Sequence, residues 1–283
     1  SIFNHPISSW KLSSAQDLSY LFCESCFCQP LEGWDLSQVK NMAGMFYLSF
    51  FNHPIGHWNV GKVEDMTELF GCSSYDHPLG NWDVSKVKKM DAMFYGTSYN
   101  WSLRKWNVAA VESMEYLFSF SSFNQDISTW DVSKVKSMGR MFFNSRFNHP
   151  LTDWDVSNVE DIEEMFCHSS FNHPIDTWNV GKVKSMKRMF YDSKFNQPIN
   201  SWNVSEVENM EEMFKNSEFN QPISDWNINK VKNMRRMFAD SKFNQPLNQW
   251  RLSLDTITGE MFSNCPFTEK SGNWWGILKS SPI

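Results

Sequence analysis

FNQPINSWNVSEVENMEEMF (195–214) is followed, 24 residues later, by FNQPISDWNINKVKNMRRMF (219–238). The same unit recurs along most of the chain without insertion or deletion. Its tryptophan keeps the step of 24 at Trp10, Trp34, Trp58, Trp82, Trp106, Trp130, Trp154, Trp178, Trp202, Trp226 and Trp250. One unit cannot bury its own apolar face, whereas stacked units can, so the period predicts a solenoid.

The first half of the unit predicts a strand. Ile199, Trp202 and Val204 have the L-x-x-L-x-L spacing of the strand in leucine-rich repeats. Trp202 and Val204 are two residues apart and therefore point to one face, which we expect to be the core, while Asn203 points to the open face.

The second half predicts a short helix. An apolar face with helical spacing begins at Val207 and includes both methionines of the unit. Ser205 stands where a helix N-cap belongs, and Glu208 follows three residues later, as in a capping box. We therefore expect an α/β fold over 1–267: a leucine-rich-repeat-like solenoid of about eleven repeats, with a parallel β-sheet on one face and short helices on the other.

Charged columns support direct stacking of the units. One column alternates in sign at every repeat: Lys40, Glu64, Lys88, Glu112, Lys136, Glu160, Lys184, Glu208 and Lys232. A second column alternates in its later part: Arg140, Glu164, Arg188, Glu212, Arg236 and Glu260. Strict alternation predicts ion pairs between adjacent units, each contributing about 0.2–1 kcal/mol when exposed.

The quoted residues resemble the BspA-type leucine-rich-repeat surface proteins, and within them the branch described in mycoplasma lipoproteins. The resemblance covers about 1–267. It implies a curved solenoid, display on a cell surface, and adhesion or protein recognition. It supplies no catalytic residues.

Composition excludes some classes of function. The net charge of −6 offers no basic face for nucleic acid, and no apolar run is long enough to span a membrane. Cys23, Cys26 and Cys28 lack the second half of a zinc motif. The sequence leaves open whether these three cysteines are free or bonded.

Several columns carry groups that could perform chemistry, but their repetition favours structural roles. Asp131 and Asp155 would lie on neighbouring strands, as paired acids do in glycosidases; however, Asn often replaces them in the same column. His53 and His77 could approach a metal, but Gln fills their column in other repeats and hydrogen bonding explains both residue types. The Asn column is expected to satisfy backbone groups as an asparagine ladder. We therefore expect no enzyme, no cofactor and no metal.

The repeat is irregular near Trp101, which replaces the usual His or Gln. We expect this coil to form a ligand surface, because aromatic and cationic side chains are enriched at binding hot spots. Strand alternation places its residues on or beside one open face: Trp101, Arg104, Lys105, Asn107, Thr129, Asp131, Asp153 and Asp155.

The ends of the solenoid also differ from the repeat. Residues 268–283, with Trp274 and Trp275, predict a C-terminal cap, whereas no N-terminal cap is visible and the first strand would expose an unpaired edge. Other copies or subunits are therefore candidate partners at the ends.

Together these patterns predict a non-enzymatic recognition or adhesion module on a cell surface that binds a protein or a glycan. The alternative is an architectural spacer or assembly subunit of a larger surface structure or virus particle.

Overall fold

The computed structural model describes residues 2–267, and the predicted cap at 268–283 lies outside them. The described chain winds into stacked coils of 24 residues. Adjacent coils are joined by single-residue parallel β-bridges that begin at Asp17↔Asn41 and end at Asn233↔Ile257, one at each step. These described residues contain no helix and no strand longer than an isolated bridge. The predicted α/β fold with a parallel sheet and helices is therefore wrong, although the predicted stacking of repeats is present.

The segment predicted to be helical bonds to the next coil instead of to itself. The backbone N–H groups of Met210, Glu212 and Phe214 donate to carbonyls 23 residues ahead, at 2.8, 2.9 and 2.9 Å. The intervening N–H of Met213 donates three residues back, to the Met210 carbonyl, at 3.2 Å. A helix would bond each of these groups four residues back; here alternate groups bond the neighbouring coil and the others close turns.

Two residues per coil have left-handed backbone geometry, which a helix excludes. In the same segment, Glu212 has φ of 53° and Asn216 has φ of 57°. Each is the third residue of a turn closed by a backbone hydrogen bond, the position that requires positive φ in a type II turn. The same two positions have positive φ in every coil from Tyr20 to Asn264.

The segment predicted as a strand has the expected alternation of burial but pairs differently. Trp202 and Val204 are buried and Asn203 is exposed. The coils are joined here by the indole, since Nε1 of Trp202 donates to the Ile175 carbonyl of the preceding coil at 2.9 Å. The carboxamide of Asn203 accepts the N–H of Ser205 at 3.2 Å, which makes a turn where a capping box was predicted.

The core consists of three aromatic columns and the methionine columns. Within one coil Phe214 stacks on Phe219 with centroids 4.1 Å apart. Between coils Phe214 stacks on Phe238 at 5.7 Å and Phe219 on Phe243 at 6.3 Å. Trp130, in the third column, is only 3% exposed. The predicted burial is confirmed for the methionine columns and for the tryptophan column from Trp34 to Trp250, whereas Trp10 in the first coil is 49% exposed.

A ladder of asparagines runs beside this core, as predicted. Oδ1 of Asn172 accepts the backbone N–H of Asn196 at 2.9 Å, and Oδ1 of Asn196 accepts that of Asn220 at 2.9 Å. Each of these backbone N–H groups thereby finds a hydrogen-bond acceptor in the preceding coil.

The alternating charges form ion pairs between coils. Glu208 lies 2.6 Å from Lys232, and Glu212 lies 2.6 Å from Arg188. Glu212 is 5% exposed, so its carboxylate is held inside the ladder. Burial raises the pKa of Glu212, but hydrogen bonds from Arg188 and Lys215 outweigh this effect and leave the pKa below its usual value. The predicted pairing is confirmed in part, on turn segments and not on helices: the second column pairs from Arg140 to Glu260, whereas Lys40, Glu160 and Lys184 of the first column form no ion pair within residues 2–267.

Candidate functional site

In the irregular coil the side chain of Trp101 is exposed, but the polar groups of Trp101 and Arg104 bond to different neighbouring coils. Trp101 is 46% exposed, and its Nε1 donates to Asp76 of the preceding coil at 2.9 Å. Arg104 pairs in the other direction, with Asp126 of the following coil at 2.6 Å. The structure therefore places both residues at the predicted surface without bringing them into one cluster.

A row of exposed polar residues continues from this coil across the next two. Lys105, Thr129 and Asp153 occupy equivalent positions 24 residues apart, and all three are exposed. The Thr129 hydroxyl donates to the Arg104 carbonyl at 3.1 Å. Within residues 2–267 the side chains of Lys105 and Asp153 have no hydrogen-bond or ion-pair partner. They remain available to a ligand.

The second row of the predicted surface holds turns in place. The Asp131 and Asp155 carboxylates each accept the backbone N–H two residues ahead, at 3.0 Å. Asn107 accepts the N–H of Ala109 in the same way at 3.2 Å. The pKa of each Asp is lowered by hydrogen bonds from the side chain and backbone of the serine two residues ahead.

The histidine column also has an internal role. Nε2 of His149 and of His173 contacts the backbone carbonyl of an asparagine in the preceding coil, at 3.1 and 3.0 Å. Nε2 of Gln197 donates to the equivalent carbonyl at 3.2 Å, so the common role predicted for His and Gln is confirmed. The described part of the chain contains no group of three or more residues placed to hold a metal ion. Cys23, Cys26 and Cys28 are free thiols.

A second surface, not predicted from the sequence, is a stripe of aromatic side chains outside the core. Rings from successive coils contact one another edge to face or tilted: Tyr95 with Phe120 at 5.7 Å, Phe120 with Phe143 at 5.1 Å, Phe143 with His168 at 5.7 Å, and His168 with Tyr191 at 5.2 Å. Phe120 is 47% exposed. These residues occupy variable positions of the repeat, where no column pattern marks them.

Cations border the end of this aromatic stripe. The Arg188 guanidinium lies 5.8 Å from the centre of the Tyr191 ring, and Nζ of Lys215 lies 5.5 Å from it. Both cations also pair with Glu212. The stripe is therefore integrated with the ion-pair ladder of the coils.

Within residues 2–267, no helix has the length and apolar character needed to cross a membrane.

Comparison with known proteins gives a family but no function. No curated protein and no solved structure matches the chain. A family model described as "Mycoplasma protein of unknown function, DUF285" matches residues 1–78, 69–172, 96–194 and 167–275. The match agrees with the mycoplasma branch of the resemblance, whereas the leucine-rich strand-and-helix unit is absent from the described coils. Since the four matches overlap and extend over nearly all of the repeats, the chain belongs to this mycoplasma repeat family of unknown function.

Proposed function

We propose that the protein is a non-enzymatic recognition module, displayed on a cell surface, that binds a protein or a glycan along its stacked coils. One observation carries the proposal. The regular side chains are used to join coils, whereas the irregular coil leaves Trp101 and the unpaired Lys105 exposed, and the unpaired Asp153 follows in the same row two coils further on. Exposed aromatic and cationic side chains are the residue types that dominate binding energy at interfaces.

The internal use of the reactive groups supports a non-enzymatic role. Asp131 and Asp155 cap turns, and the histidines His149 and His173 contact backbone carbonyls. Each group repeats in adjacent coils and contributes there to the stack. A catalytic group would instead be expected to converge with a different group on one reacting position.

The same regularity favours one alternative, an architectural spacer or assembly subunit of a surface structure or virus particle. Parallel bridges join every pair of adjacent coils from Asp17 to Ile257. This uniform hydrogen bonding between coils would suit a spacer that holds two other parts of an assembly apart. A spacer would bind through its ends and would not need the exposed patch around Trp101.

A triple variant separates the two roles. Trp101→Ala, Arg104→Ala and Lys105→Ala are combined, and retention is measured on an immobilised panel of glycans and surface proteins. If the protein is a recognition module, the triple variant no longer binds the panel members that the unaltered chain binds, while its circular dichroism spectrum is unchanged. Equal binding by the triple variant and the unaltered chain would refute a binding role for Trp101, Arg104 and Lys105. Labelling of intact cells with a membrane-impermeant reagent tests surface display, and an unlabelled chain would contradict it.

A further inference from the structure

A lysine column lies along one side of the coils, two residues before the alternating Lys/Glu column. Its charged members in chain order are Lys62, Lys86, Lys134, Lys182, Glu206 and Lys230. Five lysines and one glutamate give this column a net charge of +4, in a chain whose net charge is −6. Positive charge is thus concentrated on one line of an acidic molecule.

The neighbouring Lys/Glu column is largely neutralised by its own ion pairs. Lys88 pairs with Glu64 at 2.7 Å, and Lys232 pairs with Glu208 at 2.6 Å. In the lysine column Lys230 pairs with Glu206 at 2.7 Å, whereas the other four lysines form no ion pair within residues 2–267. Lys182 bonds only the neutral carboxamide of Asn158, at 2.6 Å.

Two further members of the lysine column form no ion pair. Lys86 and Lys134 are exposed, and their ammonium groups have no partner within residues 2–267. Unpaired exposed cations at regular intervals can meet anionic groups without first breaking an ion pair.

The part of the lysine column from Lys86 to Lys182, together with two surface depressions beside Lys134 and Lys182, forms what we call the lysine furrow. One of about 360 Å³ is lined by Lys134, Lys136, Asn158, Glu160, Lys182 and Glu112. The next, of about 270 Å³, is lined by Glu160, Gly181, Lys182, Lys184 and Glu206. Since Lys182 and Glu160 line both, the two depressions adjoin.

We propose that the lysine furrow binds an acidic polysaccharide, with its sugar chain extended along the axis of the coils. Lys86, Lys134 and Lys182 are each separated by two coils. Because neighbouring parallel segments lie about 4.8 Å apart, their ammonium groups follow one another at roughly 10 Å. That interval is close to the length of a disaccharide, so one acid group per disaccharide meets one lysine at each step.

The polar residues between the lysines favour a sugar over other polyanions. Asn158 and Glu160 offer oxygen acceptors, which suit sugar hydroxyl groups as donors. Glu206 is neutralised by Lys230 at 2.7 Å, but the carboxylate of Glu160, unpaired within the described residues, would repel a backbone that has a charge at every unit, as a nucleic acid or a polyglutamate chain has. The two depressions also have no aromatic residue in their lining, and stacking on aromatic side chains is how single-stranded nucleic acid is held.

This inference rests on the proposed recognition function and specifies its ligand. The test compares two variants with equal charge change. The furrow variant combines Lys86→Gln, Lys134→Gln and Lys182→Gln. The control combines Arg146→Gln, Lys194→Gln and Lys242→Gln, three exposed cations that occupy one column and line neither depression. Of these three, Lys242 pairs with Glu218.

Binding is measured by calorimetry with hyaluronate as the carboxylated probe, heparin as the sulfated probe and dextran as the neutral one. At about 0.1 M salt, where the Debye length is about 10 Å, the furrow variant should weaken binding of an acidic probe by on the order of 100-fold, because each lysine near an anionic surface contributes about a factor of five. The control should change it by less than about threefold, because exposed charges beyond a Debye length are largely screened. The stronger of the two acidic probes identifies the preferred acid group.

Four results would overturn the furrow: equal weakening by both variants, no weakening by either, binding of dextran as tight as that of the acids, or no binding of any acid. Tighter binding of an oligonucleotide or of polyglutamate, at matched charge, would assign the furrow to that class instead. The proposed function fails separately. If the acids do not bind but the panel ligands remain sensitive to the Trp101, Arg104 and Lys105 triple variant, the recognition role stands without the furrow.

Discussion

Replacing Ala92 with glycine should stabilise the protein, which is the opposite of what a helix would give. Ala92 has φ of 52° and is half-buried, and its N–H donates to the Glu115 carbonyl at 2.7 Å. An L-residue in the left-handed region costs about 1–2 kcal/mol, and glycine avoids this cost. Glycine also loses roughly 0.5–1 kcal/mol more backbone entropy on folding than alanine. The net expectation for Ala92→Gly is a gain of about 0.5–1 kcal/mol.

Ala110 provides a matched control. It is also half-buried and lies in a turn closed by the bond from Val111 N–H to the Val108 carbonyl at 2.8 Å, but its φ is not positive. Ala110→Gly should therefore lose about 0.5–1 kcal/mol, because only the entropy difference remains.

Equilibrium unfolding in denaturant, followed by tryptophan fluorescence, measures both changes as shifts of the midpoint at constant m-value. The two variants should move in opposite directions. A loss of about 1 kcal/mol at Ala92 is what glycine costs inside a helix. That loss, equal in sign to the change at Ala110, would refute the left-handed turn and restore the helix.

Three further perturbations test the core and the ion-pair ladder. Trp130→Ala should cost about 3–5 kcal/mol in denaturant unfolding, as large core truncations do, and a loss under about 1 kcal/mol would show that the ring is not packed. Glu208→Lys should lower the stability slightly, because the new lysine would lie beside the like charge of Lys232, and added salt should reduce the loss. A loss that does not depend on salt would argue against the ion pair. Because the folded pKa of Glu212 lies below its unfolded value, its pairing with Arg188 stabilises the protein above the unfolded pKa and is lost as pH falls through the folded pKa. Glu212→Gln should remove that part of the acid-induced loss, and an unchanged pH profile of stability would contradict it.

The sequence predicted which residues face the core in the coils that have a neighbour on both sides, whereas Trp10 in the first coil is exposed although its column is buried. The period of 24 predicts the coil, and equivalent positions do stack, as Trp106 on Trp130 shows with centroids 6.4 Å apart. The alternation of charge along the column predicts ion pairs between adjacent coils, and the Glu64–Lys88 pair is one of them. These predictions rest on burial and charge, which do not require the backbone conformation to be known.

The backbone conformation itself was predicted wrongly, because two geometries share one pattern of burial. Val207, Met210, Met213 and Phe214 are buried, as an amphipathic helix requires. Consecutive turns also bury residues at these intervals when alternate N–H groups bond the adjacent coil. Hydrophobic spacing alone does not distinguish the two, because it records which side chains are inside and not where the backbone hydrogen bonds go.

The columns with positive φ contain the signal that would have distinguished them. From Asn144 onward, every residue at the second of these positions is Asn, His or Asp, ending with Asn264, and these are the non-glycine residues enriched in the left-handed region. Neither column contains a β-branched residue at any coil, and Gly44 and Gly96 occur among them. A helix has no reason to exclude valine, isoleucine and threonine from two of its columns while accepting Glu, Arg and Tyr there. A left-handed turn has such a reason, because branching at Cβ makes positive φ a severe strain. In a repeat protein the residue types that a column excludes therefore carry information about its backbone that hydrophobic period does not.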